Sequence, residues 1–471
     1  MMHQEIDTAT KQIITAEQAW FYSVVPKSVE DSVLELYANE GHQPEGFKDE
    51  LELILGRTIA LIPIPEEELV TLLSRNYRKI ENNQNGELKQ LNLENDFLTS
   101  IIDEASSLKS SDIHIEIYEE KARVRFRIDG KLLEKYILSK EQYPSLINKI
   151  KIKANLDISE KRLPQDGRIL FSQDNKIDIR VSVLPSMFGE KIVMRLLKKD
   201  ATELNLAKLG LTDKQLQDYK NGIQKAHGIV LISGPTGSGK TTTLYSTLKV
   251  LNKNETNILT IEDPVEYTLE GINQVQLKED IGLTFARTLR TFLRQDPDVI
   301  MLGEIRDKET AQMAIRASLT GHLVLSTVHT NSAWEIVNRL IDMGIPGYLL
   351  ASTLNLAVAQ RLVRKLCPGC RKEVPINVND AEHPEVKKLA LNATNIAVGC
   401  SQCYYTGYKG RIAVYEVIPV DERVAGLIRK EEVNINEYML QSGILKMKDV
   451  AVNLLRQGET SLEEIMPLLI S

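Results

Sequence analysis

The sequence predicts a multidomain α/β protein, and three observations carry that expectation. Short apolar runs, GIVLIS, NILTIED, DVIMLG and LVLST, recur between residues 228 and 327 with helical or loop stretches between them. Upstream, DIHIEIYEE and ARVRFRIDG alternate apolar and polar residues strictly. Downstream, the four cysteines form two CxxC pairs, Cys367/Cys370 and Cys400/Cys403. Short apolar strands separated by helical or loop stretches are the α/β pattern. Strict alternation marks strands with one polar face, and paired CxxC turns mark a metal-binding module.

The 471 residues are enough for about three domains. Residues 1–75 mix short apolar segments with turn signals such as LIPIPEEE and read as a small N-terminal domain. Residues 76–95, beginning NYRKIENNQNGELKQLN, are polar and Asn-rich and read as a linker. A second domain spans 96–200. It opens on NDFLTSIIDEASSLKSS, helical in spacing with Asn95 or Asp96 as cap. In KIDIRVSVLP, Ile177, Ile179, Val181 and Val183 share one face and Asp178, Arg180 and Ser182 the other. A sheet with one helical cover is expected there. Residues 201–225 read as a second polar connector, 226–365 as the α/β core, 366–410 as the cysteine module and 411–471 as largely amphipathic helix.

Composition limits the function classes. The chain is 42% hydrophobic, 26% charged and 5% aromatic, which excludes collagen-like, disordered and disulfide-scaffold proteins. A net charge of −7 gives no global attraction to nucleic acid or anionic lipid. No apolar run approaches the length of a bilayer, and MMHQEIDTATK is not a signal peptide. A cytoplasmic protein is expected, and in a reducing compartment the cysteines point to metal before disulfides.

Residues 234–241, Gly234-Pro235-Thr236-Gly237-Ser238-Gly239-Lys240-Thr241, satisfy the phosphate-loop pattern GxxxxGK[ST] in full. Its glycines let backbone N–H groups curl around phosphates, Lys240 neutralises the β/γ oxygens, and Thr241 offers a hydroxyl to Mg²⁺. An apolar strand leads in, and KTTTLYSTLKVL, with Thr242 in its first turn, leaves as a helix whose N-terminus faces the anion. Hydrolysis also needs carboxylates to hold metal and orient water. LTIEDPVEY offers Glu262, Asp263 and Glu266, and DVIMLGEIRD offers Glu304, with Gly303 where the partner strand of a phosphate loop usually ends in Asp. His322 precedes and His329 follows the LVLST strand, without a third ligand for a metal. Arg287, Arg290 and Arg294 fall three and four apart, a spacing that places them on one helix face.

Together these pieces resemble the secretion ATPase family that powers type II secretion and type IV pilus assembly, over roughly residues 95–420. Four motifs stand in the family's order: the Walker A loop, the aspartate box TIEDPVEY, the Walker B segment RQDPDVIMLGEIRD, and the histidine box ASLTGHLVLSTVHT. Gly303–Glu304 is the family's form of Walker B, and SDIHIE, KRLPQDGRI and VMRLL resemble its second N-terminal domain. The resemblance implies a RecA-like P-loop ATPase core behind an α+β, PAS-like domain, with ATP, Mg²⁺ and Zn²⁺ as ligands. Lys240 and Thr241 would bind phosphate and Mg²⁺, Glu266 would prepare the attacking water, and Glu304 would support metal and water. His322 and His329 would sense the γ-phosphate. The family is hexameric, and Arg180, Arg195, Arg290 and Arg294 match its interfacial arginines. A cytoplasmic motor is implied, held at the inner membrane by partners: a platform protein and the cytoplasmic domain of a membrane assembly protein. Residues 1–75 would be the docking piece, and the connector 201–225 the hinge.

The cysteines supply four thiolates, a closed tetrahedral Zn²⁺ site with no position for water, and therefore a structural one. The 29 residues between the pairs leave room for a small helical insertion. Assembly and secretion ATPases resemble this chain in carrying such a module, whereas retraction ATPases generally lack it. The alternative is a RecA-like nucleic-acid-translocating or DNA-uptake ATPase. The acidic charge and scarce aromatics count against it, and no nucleic acid is expected as partner.

Overall fold

The computed structural model describes residues 10, 13–14, 16–30, 33–40, 47–55, 57–77, 97–172, 176–197, 204–375, 384–389, 391–404 and 406–470. The N-terminal region forms α1 (Ala16–Phe21), β1 (Val24–Glu30), β2 (Val33–Asn39), α2 (Phe47–Leu55), β3 (Thr58–Ile64) and α3 (Glu66–Asn76). Its three strands lie in order β1-β2-β3, the first pair antiparallel and the second parallel. Val25, Leu34, Leu36, Ile59, Leu69 and Leu73 close a core of their own. Beyond Tyr77 the linker expected over 76–95 lies outside the described residues.

The next region holds α4 (Phe97–Ser107), β4 (Asp112–Ile117), β5 (Ala122–Ile128), β6 (Lys131–Leu138), α5 (Tyr143–Lys153), β7 (Gln165–Ser172), β8 (Lys176–Ser186) and β9 (Gly189–Leu197). The strands pair antiparallel in the order β6-β5-β4-β9-β8-β7. The alternation read in the sequence holds: Ile113, Ile115, Val124, Phe126, Ile179, Val181 and Val183 are buried. Two helices are present here rather than the single expected cover. In α5 the residues Tyr143, Leu146, Ile147 and Ile150 are buried at helical spacing, which the strand-like run IKIK conceals in the sequence.

The expected connector 201–225 is corrected from Leu204 onward. A 3₁₀ turn (Leu206–Lys208) leads to α6 (Asp213–Ile223), which is opened by a full capping box between Thr212 and Gln215. Leu204, Leu206, Tyr219 and Ile223 are buried in the same core as Val230, Leu356 and Tyr415. The segment is polar on average, but Gln215, Tyr219, Gly222 and Ile223 form a buried stripe along one helix face. Average polarity hid the stripe.

The core then runs β10 (Gly228–Ser233), α7 (Lys240–Leu251), β11 (Ile258–Glu262), β12 (Asn273–Gln276), α8 (Phe285–Phe292), β13 (Val299–Leu302), α9 (Lys308–Leu319), β14 (Leu323–Val328), α10 (Ala333–Asp342), α11 (Gly347–Thr353) and β15 (Leu354–Leu366). Every residue of β10, β11, β13 and β14 is buried, as expected of parallel strands covered on both faces. After the cysteine module, with β16 (Lys372–Pro375), α12 (Pro384–Lys387) and β17 (Ala393–Ile396), strand β18 (Tyr408–Pro419) joins the core sheet. The order is β12-β11-β13-β14-β10-β15-β18. The region after residue 411 is therefore not helical throughout, because β18 completes the sheet before α13 (Glu422–Arg429), α14 (Asn436–Ser442), α15 (Met447–Arg456) and α16 (Leu462–Ile470). β10 is flanked by β14 and β15, both parallel to it. Ligands of open parallel sheets gather outside the carboxyl ends of such strands.

Candidate active site and metal centre

β10 ends at Ser233, the loop spans 234–239, and α7 starts at Lys240. Two glycines are required by what lies beneath. A Cβ on Gly234 would meet the Gln360 carbonyl oxygen at 2.4 Å, and one on Gly239 would meet Gln360 Nε2 at 2.8 Å. Both have positive φ, 147° and 89°. Pro235, Thr236, Gly237, Thr241 and Thr242 are exposed. Lys240 donates to the carbonyls of Gly234 (2.8 Å) and Pro235 (3.0 Å). Burial holds its pKa below the ordinary lysine value, against the pull of Glu304 and with a further push from Arg361.

Parallel pairing aligns three strand ends. Ser233 lies beside Val328, and Leu302 beside Ser326, so Glu304 and His329 emerge on the loop's edge of the sheet. His329 Nε2 donates to Glu304 Oε2 at 3.1 Å. Arg306 Nε donates to Glu304 Oε1 at 2.6 Å, and its guanidinium lies 3.5 Å from Asp263. Arg306 thus ties the aspartate box to Walker B, a link that the sequence reading missed.

Glu266 lies 3.7 Å from Arg180, which also donates to the Val265 carbonyl. Arg195 stands opposite Arg180 in the β8–β9 register and donates to Asp112 at 3.0 Å.

Other expected site residues sit elsewhere. Glu262 is buried and turned inward, accepting from Tyr245, from Thr260 (2.6 Å) and from Gln274 (3.1 Å). It braces the core instead of facing a nucleotide. His322 immediately precedes β14, and its Nδ1 donates to the Ala317 carbonyl at 2.8 Å. The six-residue strand sets it about 20 Å from the loop's edge, so within the chain it is not a γ-phosphate sensor. Arg290 pairs with Glu309 at 2.6 Å and Arg294 donates to the Arg290 carbonyl at 3.0 Å. Helix α8 ends at Phe292, so Arg294 falls beyond the helix that Arg287 and Arg290 share.

Three further residues come to the site from β15, which neighbours β10, and from β18 beyond it. Gln360 lies under the loop, with Tyr415 behind it. Arg361 donates from Nη2 to Asn331 at 3.0 Å, and its buried Nη1 has no hydrogen-bond partner among the described residues. Burial lowers its pKa. The signal available in the sequence was a Gln-Arg pair ending the apolar run LNLAVA.

The cysteine sulfurs all lie within 4.8 Å of one another. Sγ–Sγ separations are 3.9 Å (Cys367–Cys400), 3.7 Å (Cys370–Cys403) and 3.8 Å (Cys400–Cys403). A tetrahedron with metal–sulfur bonds of about 2.3 Å has edges of about 3.8 Å, so the set fits zinc. The N–H groups of Gly399, Cys400 and Gly407 point at sulfurs from 3.3, 3.2 and 3.3 Å, as thiolate charge requires. The antiparallel β16–β17 pair and the short helix α12 occupy the expected insertion.

A phosphate loop, a strand-end glutamate held by histidine and arginine, and a doubly covered parallel sheet define a P-loop ATPase. A family model described as "Type II/IV secretion system protein" matches residues 87–467, and the chain belongs to that family. It is 46% identical over 371 residues to the type II secretion system ATPase E of Vibrio cholerae, covering 78% of this chain and 74% of the relative. It is 48% identical over 383 residues to the type IV pilus assembly ATPase PilB of Myxococcus xanthus, covering 78% and 66%. Among solved structures, the pilus retraction motor PilT with bound ADP aligns with TM-score 0.55 and 28% identity over 79% of this chain and 97% of that one. The ATPase DotB of Legionella pneumophila shares the fold, with TM-score 0.59 at 22% identity over 79% and 95%. The protein is an ATP hydrolase of the secretion and pilus class.

Proposed function

We propose that the chain is one subunit of a hexameric motor that extends a pilus-like filament, in type II secretion or type IV pilus assembly. The observation that carries this is the grouping of Glu304, His329 and Arg306 on the edge where Lys240 begins its helix. Lys240 holds the β/γ oxygens, Thr241 faces the metal position, and Glu304 with Glu266 orients the attacking water. His329 fixes the Glu304 carboxylate by donating to it. Mg²⁺, when bound, neutralises charge on the phosphate oxygens. Arg180 and Arg195 stand side by side on the polar face of the six-stranded sheet, where guanidinium groups can meet phosphoryl charge at a subunit boundary. Zinc closes the cysteine module, and that module favours extension over retraction. Residues 1–75 dock the motor to its inner-membrane partners from the cytoplasm. No described helix is long and apolar enough to cross a membrane. The relatives named above are secretion and pilus ATPases, so a DNA motor is not favoured.

Two experiments test this. Chains carrying Lys240→Ala and Arg195→Ala are mixed: if arginine acts across the interface, mixed assemblies regain ATPase activity, and no recovery despite proven mixing removes Arg195 from that role. In the native organism, a deletion complemented by wild type or by Glu304→Gln is scored for secreted enzymes and surface pili. Loss of one with the other intact identifies the filament. No change in either contradicts the motor.

A further inference from the structure

We propose that Gln360 is a positioning residue for nucleotide binding, holding the phosphate loop in the conformation that presents the Gly239 N–H to phosphate. The inference rests on the phosphate-loop reading of residues 234–241.

Gln360 is 2% exposed, on the strand β15 beside β10. A buried side-chain amide needs a partner for each end. One end lies 2.8 Å from the Ser238 carbonyl oxygen, which only accepts, so it is the NH₂ end. The other end then accepts from Thr243 Oγ1 at 2.8 Å. Thr243 has a single hydroxyl hydrogen, and its other acceptor, the Gly239 carbonyl, is at a longer 3.4 Å. The Tyr415 hydroxyl, 2.9 Å away, therefore donates to Thr243. Burial pushes the Tyr415 phenol up to about 12, so it stays a donor at any physiological pH. The result is a directed chain in which Tyr415 donates to Thr243, Thr243 to Gln360, and Gln360 to the loop. Tyr415 and Thr243 are fully buried, and Ser238 is 3% exposed. Such chains polarise one another in a low-dielectric interior.

The consequence lies in the peptide that follows. In a planar trans peptide the C=O and N–H point in opposite directions. With the Ser238 carbonyl held down on Gln360, the Gly239 N–H must point away from the strand, toward the side on which a phosphate sits. A flip of this one peptide would replace a donor by a carbonyl oxygen facing the anion. Gly239 has no side chain to resist such a flip, and its φ of 89° is accessible with little strain. Gln360 supplies the restraint that the loop's own sequence lacks.

The test uses the full chain with Gln360→Met, Gln360→Glu and Tyr415→Phe. Binding of a fluorescent ATP analogue and of inorganic tripolyphosphate is measured, with KM, kcat and melting temperature. Gln360→Met removes the donor at similar volume, so affinity for both ligands should fall about tenfold or more. KM should rise by more than kcat falls, and the stabilisation that ATP confers on melting should shrink. Gln360→Glu keeps an acceptor for Thr243 but sets a carboxylate against the Ser238 carbonyl, and should bind more weakly still. Tyr415→Phe, one link further away, should lose less. Unchanged tripolyphosphate affinity in whichever of the three folds overturns the proposal, as does a drop in melting temperature with affinity and KM intact. Lys240→Ala separates the two readings: if it still binds ATP normally, the phosphate loop itself has been misread, whatever Gln360 does.

Discussion

Glu304 touches His329 and Arg306 at once and stands 16% exposed at the loop's edge. A carboxylate so placed is held in one rotamer by two donors yet keeps lone pairs for a water. Glu304→Gln should leave nucleotide affinity near wild type and lower kcat by roughly 10²–10⁴, read as phosphate release beside analogue binding. A second carboxylate, Glu116, acts on stability instead. Burial alone would raise its pKa, but Arg125 (2.7 Å), Arg123 (2.9 Å) and Lys191 (3.2 Å) outweigh burial and hold it at about 2. Because the folded value is depressed, this group's stabilisation is complete above the ordinary carboxylate range and is lost as pH falls through about 2. Urea unfolding between about pH 5 and pH 2 should show a steep acid loss that Glu116→Gln flattens.

Two elements behave differently from what their composition suggests. Helix α6 belongs to the core, with Tyr219 wholly buried and its hydroxyl 2.8 Å from Thr247. Tyr219→Ala should cost about 3–5 kcal/mol in urea unfolding, whereas a loose hinge would tolerate it within about 0.5 kcal/mol. The sulfurs of the cysteine module sit at the edge length of a zinc tetrahedron, so one zinc ion would supply its cohesion. Elemental analysis of purified protein should find one zinc per chain, and Cys403→Ser should lose it and lower the melting temperature. Protein purified without chelators that contains no metal would contradict the assignment.

On the scale of the whole molecule, chemistry is concentrated where strands of the parallel sheet end together. Much of this was legible beforehand. The phosphate loop, the CxxC pairs and the strand runs are local patterns, because backbone conformation and metal chelation act over a few neighbouring residues. The N-terminal residue set was legible only as a separate small core, and its three-stranded sheet was not foreseen. Gln360 and Tyr415 could not be tied to the loop from the sequence, because they stand 120 or more residues downstream of it and are joined to it only through strand order. His322 and His329 look alike as residues flanking one strand, but a parallel strand has two ends and only one lies at the phosphate-loop edge of the sheet. Glu262 and Glu304 each follow an apolar strand run, yet one side chain turns into the core and the other toward the loop. By itself, then, the sequence determined the chemistry this protein carries: a phosphate loop, carboxylates for hydrolysis and four thiolates for a metal. Tertiary structure alone decided which of several equivalent residues reach the site, because that depends on long-range strand order and side-chain direction, which no local pattern encodes.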